Sequence, residues 1–312
     1  MNYAVIDVGS NSVRLTAYHV DEITGKVDCY LNEREMIGLA SYIAEGALSE
    51  AGVLKMVNVL KRYKTLIADL NIDTYHVLAT ASIRNVSNTD AIVAMVHAMT
   101  GITLEVLTGE EEAEFDFAGV IAEIPERSGM IVDIGGGSTE MILFEDREIV
   151  NAVSIPIGSL QLYSACCENF IPTLDERKEM KKYIEDALES FVFPGGKKYP
   201  NLYGIGGTCR STLRLAAELY PDEQNGEEAG TVSFDIIRDV LKNIKKDLKN
   251  GDKMPYLRRV YQAVPERLQS ILPGLLILEA IAKRVQSEDL KICVGGVREG
   301  YLYRKVLRRQ IK

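Results

Sequence analysis

The chain has 312 residues, enough for two domains, and it is 46% apolar and 26% charged with a formal net charge of −9. This is the composition of a folded globular protein, and it excludes a disordered chain and a basic coat for nucleic acid. The longest nearly uncharged apolar stretch, around Ile271–Leu278, is too short to span a bilayer, so we expect neither a nucleic-acid nor a membrane partner.

Strand and helix signals alternate along the first half of the chain, as they do in α/β proteins. Serine and threonine residues with capping chemistry stand before two of the helical segments. In chain order, the predicted elements are a strand–turn–strand unit at 3–20, a helix capped by Ser49 and ending near Leu70, a strand at Tyr75–Ala79, a helix over about Asp90–Met99, a strand at Ile102–Leu107, and a helix that opens with the capping box Thr108–Glu111 and ends near Ala122.

The second half continues this alternation. Its predicted elements are a strand–turn–strand unit at 130–144, a helix that opens with the capping box Thr173–Glu176 and ends near Phe191, a strand at Leu202–Ile205, a helix after Gly206-Gly207-Thr208, and a helix capped by Ser233 that ends near Asn250. The five cysteines are odd in number and scattered without a CxxC pair, which predicts reduced thiols and a cytoplasmic location.

The most informative feature is an internal repeat. The segments IDVGSNSVRL (6–15) and VDIGGGSTEM (132–141) align without a gap at an offset of 126 residues. In this alignment Asp7 falls on Asp133, Gly9 on Gly135, Ser12 on Ser138 and Arg14 on Glu140. Apolar, β-branched runs flank each copy, so each predicts a β-hairpin with a tight polar turn.

The composition of the two turns predicts phosphate and metal binding. Glycines allow the backbone to approach a ligand closely and to adopt positive φ, and successive backbone N–H groups form a nest for anions. Polar side chains add further donors at Ser10, Asn11, Ser12, Ser138 and Thr139. Asp7 and Asp133 stand beside the loops, where carboxylates can hold Mg²⁺ through its water shell. For either loop alone, a plain hairpin turn with a polar tip is the alternative.

Several motifs together resemble one family. They are DVGSNSVRL at 7–15, ATASIRNVSN at 79–88, TGEEEAEFDFAGV at 108–120, VDIGGGSTE at 132–140, PIGSLQLY at 156–163, GIGGTCRST at 204–212, ERLQSILPG at 266–274 and GGVREGYLY at 295–303. In these the chain is similar to the exopolyphosphatase / guanosine pentaphosphate phosphohydrolase (Ppx/GppA) family. That family belongs to the superfamily of acetate and sugar kinases, Hsp70 and actin.

The resemblance implies an α/β fold of two RNase H-like, actin-like ATPase lobes, with mixed sheets flanked by helices and the active site in the cleft between them. Residues 1–122 and 296–312 would form lobe I, and residues 123–295 would form lobe II. Since no histidine follows His97, the chain looks like a short, two-domain member without the family's His/Asp metal domain. The resemblance also suggests a homodimer.

The implied activity is the metal-dependent release of terminal orthophosphate from inorganic polyphosphate or pppGpp, with Mg²⁺ or Mn²⁺. Glu112 matches the family's catalytic glutamate in the GEEEA segment, and a helix first turn favours its ionised form. Glu140 is the second catalytic candidate, acting on water or metal. The metal ligands would be Asp7, Asp133 and Glu140. Without the resemblance, the three glutamates at 110–112 would read as charges that complement a helix N-terminus.

An acidic chain must collect positive charge locally to bind a polyanion. Four arginines lie inside the matched motifs and can bind phosphate bidentately: Arg14, Arg84, Arg267 and Arg298. The other substrate candidates are the loop residues Gly135, Gly136 and Gly137, and the pair Gly207 and Thr208, which match the adenosine-binding segment of the kinases. For any single arginine the alternative is a surface ion pair, and for Arg34 that is the interpretation we favour. For the pair Gly207 and Thr208 the alternative is a tight strand-to-helix turn.

Two other functions stay open at this point. One is an ATP-dependent small-molecule kinase of the same superfamily, which phosphate release without an acceptor would exclude. The other is a weakly catalytic regulator that binds (p)ppGpp or polyphosphate, which tight binding without turnover would favour.

Overall fold

A computed structural model of the chain describes residues 1–72, 74–189, 191, 193, 197–221, 230–251 and 253–308. The chain divides into two compact units, Met1–Glu112 and Ala113–Lys312. The predicted lobe boundaries, with residues 296–312 returning to lobe I, stay a prediction, and residues 309–312 lie outside the described part. None of the helices in the described part has the length and hydrophobicity that crossing a bilayer requires.

The first unit contains a mixed sheet. Its strands are β1 (Asn2–Val8), β2 (Ser12–Val20), β3 (Val27–Met36), the short ribbon β4 (Ile43–Ala44) and β5 (Ala47–Leu48), β6 (Thr74–Ala79) and β7 (Leu104–Val106). The five-stranded sheet has the order β3-β2-β1-β6-β7, while β4 and β5 pair separately. Strands β3, β2 and β1 are antiparallel, and β6 and β7 continue the sheet in parallel with β1.

Helices α1 (Glu50–Asp69), α2 (Ala81–Arg84) and α3 (Thr89–Thr100) pack against the first sheet, and α4 (Gly109–Val120) begins at the end of the first unit. The Ser49 side chain accepts a hydrogen bond from Gly52 N at 3.4 Å, which confirms the predicted cap of α1. Side chains of α1 such as Met56 and Leu60 join Ile6 of β1 in one buried apolar cluster.

The second unit repeats this sheet. Its strands are β8 (Gly129–Ile134), β9 (Thr139–Glu145), β10 (Glu148–Ile155), β11 (Asn201–Ile205), β12 (Thr231–Ser233) and β13 (Asp289–Ile292), in the order β10-β9-β8-β11-β13-β12. Strands β10, β9 and β8 are again antiparallel, and β11 and β13 follow in parallel. The first five strands of this sheet therefore have the same order and the same directions as the five strands of the first sheet, as expected for a duplicated lobe.

The helices of the second unit are α5 (Ser159–Cys166), α6 (Leu174–Leu188), α7 (Gly206–Leu219), α8 (Phe234–Lys249), α9 (Met254–Ala263), α10 (Ile271–Val285) and α11 (Val297–Tyr301), which a π-helical turn, Leu302–Val306, follows. The Thr173–Glu176 capping box and the Ser233 cap are both present, as predicted. Helix α6 ends at Leu188, slightly before the predicted end.

Both faces of the second sheet are buried. Along β8, Val132 and Ile134 belong to the large cluster that contains the apolar residues of α10, whereas Ile131 belongs to a smaller cluster with Phe117 of α4. A strand that is covered on both faces reads as a continuous apolar run, which explains the sequence Met130–Val132. Helix α4 therefore covers one face of this sheet and α10 lies on the other.

Candidate functional site

Both repeat segments form the predicted hairpins, in the same register. In the first, Asp7 of β1 lies opposite Arg14 of β2, and in the second, Asp133 of β8 lies opposite Glu140 of β9. The turns share a backbone hydrogen bond, from Gly9 N to Ser12 O at 3.1 Å and, in the second copy, from Gly135 N to Ser138 O at 2.9 Å. Directly opposite residues share a face of the sheet, so Asp7 lies beside Arg14 and Asp133 lies beside Glu140 at the base of each turn.

The segment after β3 supports the first loop. Ile37 N and Gly38 N donate to Asn11 O at 3.0 and 2.9 Å, and Ala40 N donates to Ser10 O at 3.0 Å. The two loop carbonyls are therefore satisfied by the protein, and their oxygens point into it.

The segment after β10 supports the second loop in the same way. Ser159 N donates to Gly135 O at 2.9 Å, and Leu160 N and Gln161 N both donate to Gly136 O, at 3.0 and 2.9 Å. These donors are the first residues of α5, within the sequence PIGSLQLY. No role is predicted for this motif from the sequence, although an Ile-Gly pair follows the third strand in both units, at 37–38 and 157–158.

The loop N–H groups have the opposite status. Within the described residues, the N–H groups of Ser10, Asn11, Gly136 and Gly137 donate to no protein acceptor. Backbone N–H groups in proteins normally have an acceptor. Successive loop N–H groups without a protein acceptor, in loops whose carbonyls already accept hydrogen bonds, form an anion-binding nest. Each unit thus contains a loop that can receive a phosphate group through its backbone.

The loop glycines act through close approach. The prediction that these glycines are needed for a positive φ is wrong, since Gly9 and Gly135–Gly137 lie outside the left-handed region. A Cβ on Gly158 would lie 2.3 Å from Gly136 C and 2.4 Å from Gly137 N. The second loop therefore rests directly on the backbone that precedes α5, and only glycine fits at that contact.

The polar side chains of the loops divide into two groups. Asn11 and Ser12 are partly exposed, whereas Ser10 and Ser138 are buried, at 6% and 3% exposure. The Thr139 hydroxyl is fully buried and donates to Ile157 O at 2.6 Å. Its described contact is therefore with the protein backbone.

A row of charged side chains crosses the first sheet. Arg14 lies opposite Asp7 on one neighbouring strand and opposite Arg34 on the other. Arg34 Nη2 also approaches Met36 Sδ at 2.9 Å. Arg14 therefore stands between a carboxylate on one neighbouring strand and a second guanidinium on the other. From the sequence, Arg34 is interpreted only as part of a surface ion pair, and its position opposite Arg14 follows from the register of β3, which local pattern does not show.

In the second unit, carboxylates and glycines converge at the ends of β8 and β11. Glu140 is 1% exposed, and its Oε1 accepts a hydrogen bond from Ser154 Oγ at 2.6 Å. Asp133 contacts Gly206, the first residue of α7, where φ is +78° and a Cβ would lie 2.0 Å from Oδ1. Gly206 is thus required both by its backbone conformation and by the neighbouring carboxylate.

Arg267 joins this cluster through Gly207. A Cβ on Gly207 would lie 1.9 Å from Arg267 Nη2, and the Arg267 side chain is 8% exposed. The Thr208 hydroxyl is 1% exposed and donates to Ile134 O at 2.7 Å, so it fastens α7 to the end of β8. The second loop, Asp133, the two glycines and Arg267 therefore lie together in this unit.

Arg298 lies on α11, which packs against α4. The Glu123 carboxylate accepts hydrogen bonds from Val294 N and Gly295 N, both at 2.8 Å, and a Cβ on Gly300 would lie 1.7 Å from Phe115 O. These contacts hold the start of α11 while Arg298 stays partly exposed. Glu123 was missed by sequence reasoning because its partners lie 171 and 172 residues away in the chain.

The three consecutive glutamates at the start of α4 have three different environments. Glu110 is exposed, and Glu111 forms the predicted capping box with Thr108, with hydrogen bonds of 3.0 and 3.1 Å. Glu112 is buried, and its Oε2 accepts a hydrogen bond from Arg84 Nη1 at 2.6 Å. The structure therefore separates the helix-capping glutamate from the one that is paired with a matched-motif arginine.

Comparison with known proteins decides the family. A sequence profile of the Ppx/GppA phosphatase family matches residues 20–309. The chain belongs to the Ppx/GppA phosphatase family. The family and the α/β fold class predicted from the motifs are confirmed, while the cytoplasmic location and the homodimer stay predictions.

Individual Ppx/GppA proteins are similar over much of the chain. Exopolyphosphatase 2 of Mycobacterium tuberculosis is 31% identical over 227 residues, which are 69% of this chain and 71% of that protein. A guanosine-5'-triphosphate,3'-diphosphate pyrophosphatase of Pseudoalteromonas atlantica is 25% identical over 311 residues, covering 96% of this chain but only 58% of that protein. The crystal structure of the Aquifex aeolicus Ppx/GppA family member superposes with a TM-score of 0.76 at 27% identity, covering 100% of this chain and 99% of that one.

Metal binding in this Ppx/GppA chain has to be judged from its donor set. The described residues contain no group of three or more His, Cys, Asp or Glu side chains arranged to hold a metal ion. Asp133 and Glu140, as cross-strand partners, do form a pair of carboxylates beside a phosphate-type loop. Mg²⁺ is commonly held by one or two carboxylates together with water and substrate phosphates, so this donor set fits an ion that arrives with its substrate.

Proposed function

We propose that this chain is a phosphohydrolase that releases terminal orthophosphate from inorganic polyphosphate or pppGpp by attack of water. The observation that carries the proposal is the duplicated turn, whose carbonyls are bonded to the protein while the N–H groups of Ser10, Asn11, Gly136 and Gly137 have no protein acceptor in the described part of the chain. Membership of a phosphatase family and the two named relatives support the same reaction class.

Glu112 is proposed as the general base. Its position in the first turn of α4 and its hydrogen bond from Arg84 both favour the ionised carboxylate. An ionised carboxylate can orient a water molecule and accept its proton as the water attacks phosphorus. Arg84 is proposed as a positioning residue, because its guanidinium donates a hydrogen bond to the base.

A divalent ion, Mg²⁺ or Mn²⁺, is proposed to bind at Asp133 and Glu140. When bound there it would neutralise charge on the phosphate oxygens as the terminal group is transferred. Asp133 is partly exposed, and Glu140 is held by Ser154. Asp7 is the equivalent carboxylate of the first unit and is proposed as a further carboxylate that would hold such an ion.

The remaining predicted residues are proposed to bind the phosphate chain. Arg14 and Arg34 lie beside the first loop, and Arg267 lies against Gly207 beside the second. Guanidinium groups bind phosphate through two parallel hydrogen bonds and stay charged at every physiological pH. Arg298 is proposed as a further contact on the strength of the family motif and its partial exposure.

The decisive experiment is orthophosphate release by the purified chain. Long polyphosphate, tripolyphosphate, pppGpp and ATP are compared, each with Mg²⁺, with Mn²⁺ and with a chelator, and with Glu112→Gln as the inactive control. Release without any acceptor supports hydrolysis and excludes the kinase. Tight binding of polyphosphate or (p)ppGpp with no turnover under all of these conditions would overturn the proposal in favour of a regulator.

A further inference from the structure

A cationic cavity lies among the outer helices of the second unit, apart from the loops described above. It encloses about 270 Å³ between α6, α8 and α10. Its lining consists of five cations, one carboxylate and one leucine: Arg177, Lys181, Arg238, Lys242, Lys245, Glu279 and Leu241. None of the predicted site residues contributes to this lining.

Helical spacing brings these cations together. Arg177 and Lys181 are four residues apart on α6, and Arg238, Lys242 and Lys245 are four and three residues apart on α8. Side chains at these spacings share one face of a helix. Two basic helix faces therefore converge on one cavity, in a chain whose net charge is −9.

The positive charge of the cavity is poorly compensated by the protein. Arg238 pairs with Asp235 at 2.9 Å, an aspartate whose side chain is 92% exposed. In the part of the chain that the structure describes, Lys181, Lys242 and Lys245 form no salt bridge. Glu279 is the one carboxylate among the lining residues. Like charges at this spacing repel one another and destabilise the helices that carry them.

Arg177 is the buried member of the group. Its side chain is 8% exposed, and its Nε atom is buried without a hydrogen-bond acceptor among the described residues. Burial lowers the pKa of the Arg177 guanidinium, and burial together with the neighbouring Arg177 lowers the pKa of Lys181. A buried donor without an acceptor costs free energy, and an anion close to the Arg177 guanidinium would offset part of that cost.

We propose that this cavity is a second anion site, which binds a short phosphate chain of two or three phosphoryl groups. Cations that converge from two helices, with a buried guanidinium donor, suit a compact multivalent anion. The volume lies below the range that is usual for drug-sized ligands, and no aromatic side chain is among the described residues that line it. A nucleoside base would thus have neither room nor a stacking partner.

The chemistry recognised is that of linked phosphates, whether they come from a polyphosphate chain or from the phosphate tail of a nucleotide. The site does not depend on the proposed hydrolysis, because none of its residues belongs to that machinery. Binding here can therefore be observed even if the chain proves to have no phosphohydrolase activity.

The test uses two matched double variants of the full chain. K181E/K245E removes two lining cations, and K182E/K246E makes the same charge change one residue further along the same two helices, at exposed lysines outside the lining. Tripolyphosphate binding is measured by calorimetry without divalent metal, and orthophosphate release is measured alongside. We expect K181E/K245E to lose one binding event or to weaken it by at least about tenfold, the effect of losing charge-assisted hydrogen bonds. The K182E/K246E variant should bind like the wild type.

Equal tripolyphosphate binding by the two double variants overturns the proposal, and so does tighter binding of an oligoaspartate peptide than of tripolyphosphate at this site. GTP is then measured in place of tripolyphosphate to distinguish the two sources of linked phosphates. GTP binding that depends on Lys181 and Lys245 indicates that the site accepts the phosphate tail of a nucleotide. No such GTP binding indicates that the site takes a free polyphosphate chain. If K181E/K245E does not fold, as judged by its melting curve, K181Q/K245Q replaces it with K182Q/K246Q as control. Loss of hydrolysis with retained dependence on Lys181 and Lys245 would leave this site standing while the proposed function fails.

Discussion

Arg84 Nη1 donates a hydrogen bond of 2.6 Å to Glu112 Oε2, and the two side chains are only 17% and 11% exposed. The same Nη1 donates to Leu107 O at 3.1 Å, so the guanidinium links α2 to the segment that precedes α4. Ionic hydrogen bonds in such partly buried places are stronger and more directional than those on the surface. The pair fixes where the Glu112 carboxylate points.

The first prediction concerns this positioning. Arg84→Ala should lower kcat by at least about tenfold and change KM much less, because it releases the base from its orientation. Arg84→Lys keeps the charge but not the planar fork, and we expect it to restore part of the loss. Steady-state kinetics on tripolyphosphate would check this. A rise in KM alone, with kcat intact, would assign Arg84 to substrate binding instead.

The second prediction uses the three consecutive glutamates as their own controls. Glu112→Gln should lower kcat by ~10²–10⁴-fold with near-normal substrate affinity, since glutamine cannot accept the proton. Glu111→Gln should leave kcat unchanged, since glutamine also completes a capping box, and the lost helix-dipole interaction costs about 1 kcal/mol at most in the free energy of unfolding. Glu110→Gln should alter neither quantity. If Glu112→Gln keeps more than about a tenth of kcat, the base is another residue.

The third prediction concerns the metal. Asp133→Asn should raise the Mg²⁺ concentration needed for half-maximal activity by at least about tenfold, because one of two neighbouring carboxylates loses its charge. The exposed Asp146, which pairs with Arg127 in the turn after β9, provides the control Asp146→Asn. Magnesium titrations of the two variants check the assignment. Identical metal dependence in both would remove Asp133 from the metal site.

The fourth prediction concerns the contact beneath the second loop. Gly158→Ala places a Cβ about 2.3 Å from Gly136 C, so the loop must move and phosphate affinity should fall by at least about tenfold. Gly46→Ala is the control, since its φ is +76° but no atom lies within 4 Å of the added Cβ. It should lower the melting temperature slightly and leave affinity unchanged. Equal affinities would mean that the loop tolerates displacement.

The fifth prediction concerns acid stability. Burial of Glu176 opposes its ionisation, but hydrogen bonds from Thr173, Asn169 and Glu168 outweigh this and lower its pKa from 4.5 to about 2. A carboxyl with a depressed pKa stabilises the fold above its unfolded value, and that stabilisation is lost as the pH falls towards the folded value. The melting-temperature gap between wild type and Glu176→Gln should therefore shrink as the pH falls below 4.5. Glu179→Gln, on the same helix but outside the capping box, is the matched control for the substitution.

Local signals explain what sequence alone could predict. The capping residues Ser49, Thr173 and Ser233 act within three residues of themselves, so their helices begin where expected. The hairpin repeat is equally local, since a tight turn sets the register of its two strands. The strand at Ile102–Leu107 proved shorter, Leu104–Val106, because its pairing with β6 extends over only three residues.

Contacts between distant segments explain what sequence could not predict. Arg84 and Glu112 each stood out by motif, but their pairing across 28 residues depends on how α2 and α4 pack. The basic faces of α6 and α8 are visible separately as i, i+4 spacings, whereas their convergence on one cavity is a tertiary property. The glycines of the second loop were predicted, but the need for Gly158 comes from packing against Gly136.

The shared register of the two hairpins restricts how this chain can evolve. Asp133 and Glu140 face the same side only because the turn between β8 and β9 has a fixed number of residues. Inserting or deleting one residue there would send Glu140 to the opposite side of the sheet, since side chains alternate along a strand. A point substitution in these turns keeps this register, whereas a one-residue change of length does not. We therefore expect a library of variants in residues 135–138 to retain functional substitutions and to lose every insertion or deletion of a single residue.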